Sequence, residues 1–533
     1  MPGESYLPVL DALHDSPIES IVCRHEGGAA MMAEAGAKLS SQPGVCFVTR
    51  GPGACNASSG LHVAQQDSTP LILFIGQVSS GIRERDAFQE VDYKGMFGSM
   101  AKWVAQIDDP ARIDEFVSRA FHTATSGRPG PVVLALPEDT LSAHSHVSSY
   151  TPWQQLETAP APADVQTLIS LLQKAARPMI IAGGSRWSKT AVQQLQDFST
   201  ALQIPVCCSF RRQHLFDHHH PHYAGDVGIG LNPTLSQRLH ESDLLVLLGG
   251  RLSEMPSQNY TLLNIPAPDQ ALVHIHPAAE ELGKLYQATL AINASPVALM
   301  SELVQHSPKT PENNDRRDYI LDCRRDYETW STPDVITPGD VQMASVMRSL
   351  QTHTPDNTII TNGAGNYASW IHRFWRFNGY ASQLAPTSGS MGYGLPAAIA
   401  AKLARPEACV IAFAGDGCLQ MTLQELGTSM QYHAPIIVIV VDNGMYGTIR
   451  MHQEIHYPGR VSATELHNPD FVALARAYGA LGLLVTHTDD FHAALQQALQ
   501  SSVTSLIHIK IDPEAITPTT TLTRIRAKAR ASD

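Results

Sequence analysis

At 533 residues the chain is too long for one ordinary core and fits roughly three or four domains. Apolar residues make up 43% and charged residues 16%, a balance that excludes a disordered chain. The net charge of −13, from 37 basic and 50 acidic residues, repels a phosphate backbone and argues against a nucleic-acid partner.

The first ten residues, MPGESYLPVL, lack the basic-then-apolar pattern of a secretory signal. No apolar run approaches the roughly 20 residues that cross a bilayer, so neither a membrane partner nor a membrane location is expected. The default location is the cytoplasm. Short β-branched runs follow in chain order at Val45–Thr49, Leu71–Ile75, Val132–Leu136, Met179–Ala182, Leu244–Leu248, Leu272–Ile275, Thr358–Thr361, Val410–Ala414 and Ile436–Val441. Amphipathic stretches such as Ala191–Leu202 and Phe491–Ser501 lie between them. Continuous apolar strands alternating with helices predict an α/β fold of doubly wound parallel sheets.

Two stretches read as linkers, Ser142–Ala163 and Pro308–Pro338, which divides the chain near 1–150, 160–305 and 335–515. The basic, Thr-rich tail after Pro518 reads as loosely ordered. Eight scattered cysteines with no CxxC pair predict free thiols, mostly buried. The run His218-His219-His220-Pro221-His222 reads as a polar loop, because neighbouring histidines in a Pro-containing segment cannot all face one ion.

The chemistry concentrates late in the chain. The strand at Val410–Ala414 ends in Gly415-Asp416-Gly417-Cys418, with a helix expected from about Thr422. The strand Ile436–Val441 ends in Asp442-Asn443-Gly444-Met445. One strand–helix–strand unit separates Asp416 from Asn443, so both fall at the carboxyl edge of neighbouring strands, where open parallel sheets bind ligands. A carboxylate, an amide and a nearby carbonyl are three hard oxygen ligands of the kind magnesium takes, and the glycines admit a diphosphate.

Gly-Asp-Gly followed by Asn443 at this separation resembles the signature of thiamine-diphosphate enzymes. The resemblance is to the acetolactate synthase large subunit and covers nearly the whole chain. It implies three domains: pyrimidine-binding, central and diphosphate-binding. It implies Mg2+ held by Asp416, Asn443 and the carbonyl of Met445, and a diphosphate cradled by Gly415, Gly417 and Cys418. Gly363-Ala364-Gly365-Asn366-Tyr367 matches a further diphosphate contact, with Gly365 and Asn366 where acetolactate synthases have Gly-Gln-His. Met391, within Thr387–Ala398, matches the apolar wedge between the cofactor rings. Cys23-Arg24-His25-Glu26-Gly27-Gly28, followed by Arg50-Gly51-Pro52-Gly53, matches the pyrimidine-binding segment, so Glu26 would hydrogen-bond the pyrimidine ring. Phe88 and Gln89 match residues lining the active site. Family sites form between two subunits, which implies a homodimer or homotetramer acting on a small 2-oxo acid such as pyruvate.

The chain departs from the family at several places. The family's Arg-Phe-Asp-Asp-Arg run, which helps hold FAD and the second substrate, reads Arg251-Leu252-Ser253-Glu254-Met255, so FAD is carried over less firmly than thiamine diphosphate. His452 aligns with a Trp that selects the acceptor, and Glu138 replaces a Lys. Met1-Pro2-Gly3-Glu4 aligns with a turn that follows the family's first helix and strand, so those two elements are expected to be missing. The expected activity is carboligation: decarboxylation of a 2-oxo acid and transfer of the resulting unit to an acceptor. Simple decarboxylation is the alternative within enzymes, and a catalytically silent truncated paralogue is the alternative outside them. A Rossmann dehydrogenase ranks low, because no strand is followed by GxGxxG with a suitably placed acid.

Overall fold

The computed structural model describes residues 1–146, 153–306 and 314–532. Three separate sheets, all parallel, account for the strands among them. The first contains β1 (Gly44–Val48), β2 (Leu71–Gln77), β3 (Trp103–Gln106) and β4 (Pro131–Pro137), in the order β1-β2-β4-β3. The second contains β5 (Pro178–Ala182), β6 (Val206–Ser209), β7 (Tyr223–Val227), β8 (Leu244–Leu248), β9 (Ala271–His276) and β10 (Leu290–Asn293), in the order β10-β9-β8-β5-β6-β7. The third contains β11 (Ile359–Asn362), β12 (Gln383–Leu384), β13 (Val410–Gly415), β14 (Ile437–Asp442), β15 (Leu481–Val485) and β16 (Ser505–Lys510), in the order β12-β11-β13-β14-β16-β15.

The predicted α/β class is what the structure has, and the reason lies in the strand sequences. β2, β4, β5, β8, β13 and β14 are buried at every position. A strand with no polar face needs helices on both sides, and the helices between the strands supply them. Each sheet is sandwiched in apolar layers; Phe413, Trp370 and Ile439 pack on one side of the third sheet, Val438, Val440 and Ala412 on the other. At the N-terminus, the Met1 ammonium donates to the Phe47 carbonyl (3.1 Å), and Gly3 lies so close to Thr49 that a Cβ would fall 2.4 Å from it.

Three expectations are corrected. Residues 314–331, within the stretch read as a linker, form a helix (Asn314–Ser331) that buries Tyr319, Ile320, Cys323 and Tyr327. Its Arg316 is fully buried and donates to the carbonyls of Leu172, Ala175 and Leu202, so the helix is bolted to the central layer despite its charged sequence. The linker residues 147–152 and 307–313 lie outside the described residues. The tail is a helix, Leu522–Ser532, held by Arg526 to the buried Glu454. The histidine run is a turn with His219 and Pro221 exposed, but it is not polar throughout: His218 is buried, stacks on Tyr223 and meets Tyr327 Oη at 3.2 Å. The helix expected near Thr422 is present: a 3-10 turn, Leu423–Glu425, runs straight into the α-helix Leu426–Gln431, and a separate single turn, Asp416–Leu419, begins at the aspartate. The Thr422 hydroxyl donates to the Gly392 carbonyl, and Glu425 is turned towards the first domain.

Candidate active site

Register places the key side chains. Gly415 at the end of β13 pairs with Val441 of β14, so Asp416 and Asp442 emerge side by side at the carboxyl edge, followed by Asn443. Gly444 has φ +68 and turns the chain; Met445 then pairs with Glu465, and Tyr446 N donates to the Thr464 carbonyl (2.8 Å). The loop that carries Met445 is thereby fixed at both ends.

Here a cavity of about 240 Å³ opens. Gly365, Asn366, Met391, Gly415, Asp416, Gly417, Cys418, Asn443 and Met445 all line it, which brings together every sequence-derived cofactor or metal candidate except Glu26. The glycines are sterically required. A Cβ on Gly415 would sit 2.9 Å from the Tyr367 ring, and one on Gly417 would sit 2.6 Å from that of Tyr446. Cys418 Sγ accepts from Gly392 N and contacts Tyr367 Oη, both at 3.2 Å, so the thiol braces the cradle from behind. Asn366 Oδ1 accepts from Thr448 Oγ1 (3.0 Å), which ties the cavity wall to the helix Gly447–His456.

Two carboxylates share this edge. Burial pushes Asp416 up to about 6; an Asn468 hydrogen bond opposes that rise and the charge of Asp442 adds to it. Burial also works against ionised Asp442, but His508 Nε2 (2.8 Å) and Gly444 N (2.9 Å) hold its carboxyl below the usual range. Asn468 Nδ2 donates to both, 2.7 Å to Asp416 and 2.8 Å to Asp442. A buried carboxylate, Asp416, at the cavity wall beside the amide of Asn443 offers the oxygen chemistry of a hard divalent-cation site, with Asp442 behind it. Asn468 and His508 were not singled out from sequence. Asn468 lies in a loop with no periodic signal, and His508 sits inside a strand whose role depends on its neighbour.

The first domain holds a second cluster. Glu26, 8% exposed, opens the helix Glu26–Ser40, and its Oε2 accepts from Asn56 Nδ2 at 2.9 Å. A Cβ on Gly53 would stand 3.3 Å from Glu26 Oε1, so the Gly51–Gly53 turn presses on the carboxylate. Gln89, at φ +63, packs its backbone against Gly51, and Arg50 Nε donates to the Phe88 carbonyl (3.3 Å). Phe88 is 73% exposed. Glu425 accepts from the backbone N–H groups of Arg24 and His25 (2.9–3.1 Å), placing a buried negative charge at the N-terminus of the Glu26 helix. Neither Glu26, Phe88 nor Gln89 lines the cavity above. The substituted Glu138 pairs with Arg50, which also meets Glu4 at 2.8 Å, so its reversed charge is used within the domain. His452 stacks against His456 and does not line the cavity.

The central sheet has its switch point between β5 and β8, where strand order reverses. There the carbonyls of Gly183, Gly184 and Gly250 meet Trp187 Nε1, Arg212 Nε and His274 Nε2 at 2.8–3.0 Å, and Arg251 donates to the Gln66 carbonyl. These polar groups are paired within the chain.

Three stretches match a single family: residues 1–96 its "N-terminal TPP binding domain", 165–303 its "central domain" and 363–509 its "C-terminal TPP binding domain". The chain belongs to the thiamine pyrophosphate enzymes. It is 33% identical to the acetolactate synthase isozyme 2 large subunit of Escherichia coli, over 96% of this chain and 92% of that protein. It is also 33% identical to a probable acetolactate synthase large subunit of Methanocaldococcus jannaschii, over 97% and 89%, and 31% identical to the acetolactate synthase large subunit of Parasynechococcus marenigrum, over 96% and 84%. This thiamine pyrophosphate enzyme is thus acetolactate synthase-like, with three α/β domains. No helix among its described residues is long and apolar enough to cross a membrane.

Proposed function

We propose that this enzyme is a magnesium-dependent carboligase that decarboxylates a small 2-oxo acid such as pyruvate and transfers the resulting unit to an acceptor. The cavity that gathers the Gly-Asp-Gly turn, Asn443 and Met445 carries the reading. Asp416, Asn443 and the Met445 carbonyl would hold Mg2+, and Gly365, Asn366, Gly415, Gly417 and Cys418 would surround the diphosphate. When bound, thiamine diphosphate supplies the carbanion-stabilising chemistry that 2-oxo-acid decarboxylation requires. Met391 would hold the ring system from the cavity wall. Glu26 would hydrogen-bond the pyrimidine ring and control the proton there, while Asn56 fixes its carboxylate. Phe88 and Gln89 would meet the substrate. Because these three residues stand outside their own chain's cavity, a second copy would supply them, in a homodimer or a tetramer built from it.

The proposed reaction is redox-neutral and needs no FAD. We also take 1–150, 160–305 and 335–515 as the domain units, and the cytoplasm as the location. Calorimetry of thiamine diphosphate with magnesium tests the site: tight binding by the native enzyme and none by Asp416→Ala is expected. Equal binding by both would remove Asp416 from the metal. Product analysis with pyruvate and a second 2-oxo acid tests the reaction. A 2-hydroxy-3-oxo acid is expected, and aldehyde alone would assign simple decarboxylation.

A further inference from the structure

The segment from Asp416 to Glu425 faces two ways. Asp416 lines the cofactor cavity, whereas Glu425 closes the 3-10 turn Leu423–Glu425 and is completely buried against the first domain. Two backbone N–H groups and one hydroxyl converge on the Glu425 carboxylate. Its Oε1 accepts from His25 N (2.9 Å), both oxygens share Arg24 N (3.1 Å each), and Oε2 accepts from Thr428 Oγ1 (2.6 Å). The proposed reaction gives this residue no task.

The backbone it holds leads directly into the helix Glu26–Ser40. Residues 18–25 form neither helix nor strand, so their course is set by what their polar groups meet. Those partners lie in the third domain. Val22 N donates to Tyr432 Oη (2.7 Å), Tyr432 Oη donates to the Ser20 carbonyl (3.2 Å), and Arg24 Nη2 donates to Gln431 Oε1 (2.6 Å). Glu425 makes the last of these contacts before Glu26. A Cβ on Gly28 would fall 2.6 Å from Glu425 Oε1, so the bare glycine lets the carboxylate reach the first turn of the helix. Asn56 thus holds the tip of Glu26, while Glu425 holds the backbone from which it projects.

We infer that Glu425 is a positioning residue for Glu26, and that it therefore serves the cofactor of the other copy, away from the cavity beside its own Asp416. This rests on the two-copy site proposed above. A carboxylate suits the task, because two oxygens take all three donors and negative charge is favoured at a helix N-terminus. Misplacing a reacting group by about 1 Å costs on the order of 10²-fold in rate, so the contact bears on proton transfer more than on cofactor affinity.

The test uses the full-length enzyme with thiamine diphosphate and magnesium, reading exchange of the bound cofactor's C2 proton into D2O, a rate that needs no substrate. Glu425→Met keeps the side-chain length and removes both acceptors. Exchange is expected to slow about 10- to 100-fold while cofactor affinity changes less than about threefold. Glu425→Gln keeps an acceptor for Arg24 N and His25 N and is expected to restore the rate to within about threefold of native. Gly28→Ala, which crowds the same carboxylate from the helix side, is a second variant expected to slow exchange. Circular dichroism reports folding, and amide exchange in residues 20–30 should accelerate in Glu425→Met without cofactor. A native rate in either folded variant overturns the proposal, as does an equal loss in Met and Gln.

The copy served is read in hybrids of Glu26→Gln and Asp416→Ala, whose intact site takes Glu26 from the Asp416→Ala chain. Glu425→Met on that chain should lower restored pyruvate turnover about 10- to 100-fold, and on the Glu26→Gln chain less than about threefold. The reverse order overturns the assignment to the other copy. Hybrids that recover nothing even with Glu425 intact remove the two-copy site and that assignment with it, while the exchange rates still decide whether Glu425 positions Glu26.

Discussion

Glu26 and Asp416 are both buried carboxylates, but their surroundings give them different tasks. Asp416 stands beside a second acid and is steadied by one amide, so a cation relieves its environment. Glu26 accepts from the Asn56 amide at one oxygen, and a side chain at Gly53 would crowd the other. Replacing Glu26 by Gln keeps the size of the side chain and would remove the proton role proposed for it. Thiamine diphosphate binding should then change only a few-fold, while kcat falls by about 10²–10⁴. Calorimetry and steady-state rates on one preparation separate the two effects, and a variant with near-native kcat would remove Glu26 from the chemistry.

At the scale of elements, the helix Gly447–His456 carries Thr448 and Ile449 of the cavity wall and is held from behind by the last helix of the chain. The hinge of that contact is Glu454. Its oxygens accept from Arg526 Nε (2.8 Å), Arg526 Nη2 (2.7 Å) and Gly459 N (2.8 Å), and it pairs with Arg450. These hydrogen bonds, Arg526 first, hold Glu454 down at about 2 against its burial. Arg526→Ala should loosen both helices by about 2–3 kcal/mol, less than a fully buried pair because Arg526 is 32% exposed. Amide exchange in 447–456 and 522–532 should accelerate by roughly 30- to 150-fold, with the three sheets unchanged. Unaltered exchange there would mean that the tail helix does not brace the wall.

For the whole molecule, domain contacts decide both acid stability and site assembly. His214, His218 and His372 are each pushed down to about 3, chiefly by burial. Between about pH 6.5 and pH 3 the unfolded chain binds protons at these positions and the folded chain does not, so stability must fall as pH drops through that window. Asp226, pushed up to about 7 by burial, works in the opposite sense between roughly pH 4 and 7, because there the folded state holds the extra proton. Three groups outweigh one, so near pH 5 these four sites together should cost about 2–3 kcal/mol per unit of acidification. Urea midpoints at pH 7 and pH 5 measure the trend; a higher midpoint at pH 5 would contradict it. Assembly is tested by mixing two inactive variants, Glu26→Gln and Asp416→Ala. If each site draws on two copies, random re-pairing creates hybrids with one intact site and restores about a quarter of native activity. No recovery after verified exchange of subunits would place the whole site within one chain.

Much of this was legible in the sequence. Nine strands could be read because their apolar, β-branched runs are continuous, most of them buried on both faces, and the Gly-Asp-Gly turn and Asn443 could be paired because parallel strands present their carboxyl ends at one edge. Seven further strands escaped: short or edge segments such as Trp103–Gln106 and Gln383–Leu384, and segments interrupted by polar residues such as Tyr223–Val227 and Ser505–Lys510. The helix Asn314–Ser331 was missed because its narrow stripe of Tyr319, Ile320, Cys323 and Tyr327 is submerged among charged residues and anchored by a buried arginine, and the tail helix because Arg–Glu pairing holds it. Sequence alone determined the α/β class and which residue types carry the chemistry, since both depend on local pattern and short spacing. Only the tertiary structure decided that Glu26 stands outside its own chain's cavity, that Asn468 bridges two carboxylates, and that a buried Arg316 ties a charged helix to the central domain. Each of those facts joins segments tens to hundreds of residues apart, where packing and desolvation set the outcome and no sequence period records it.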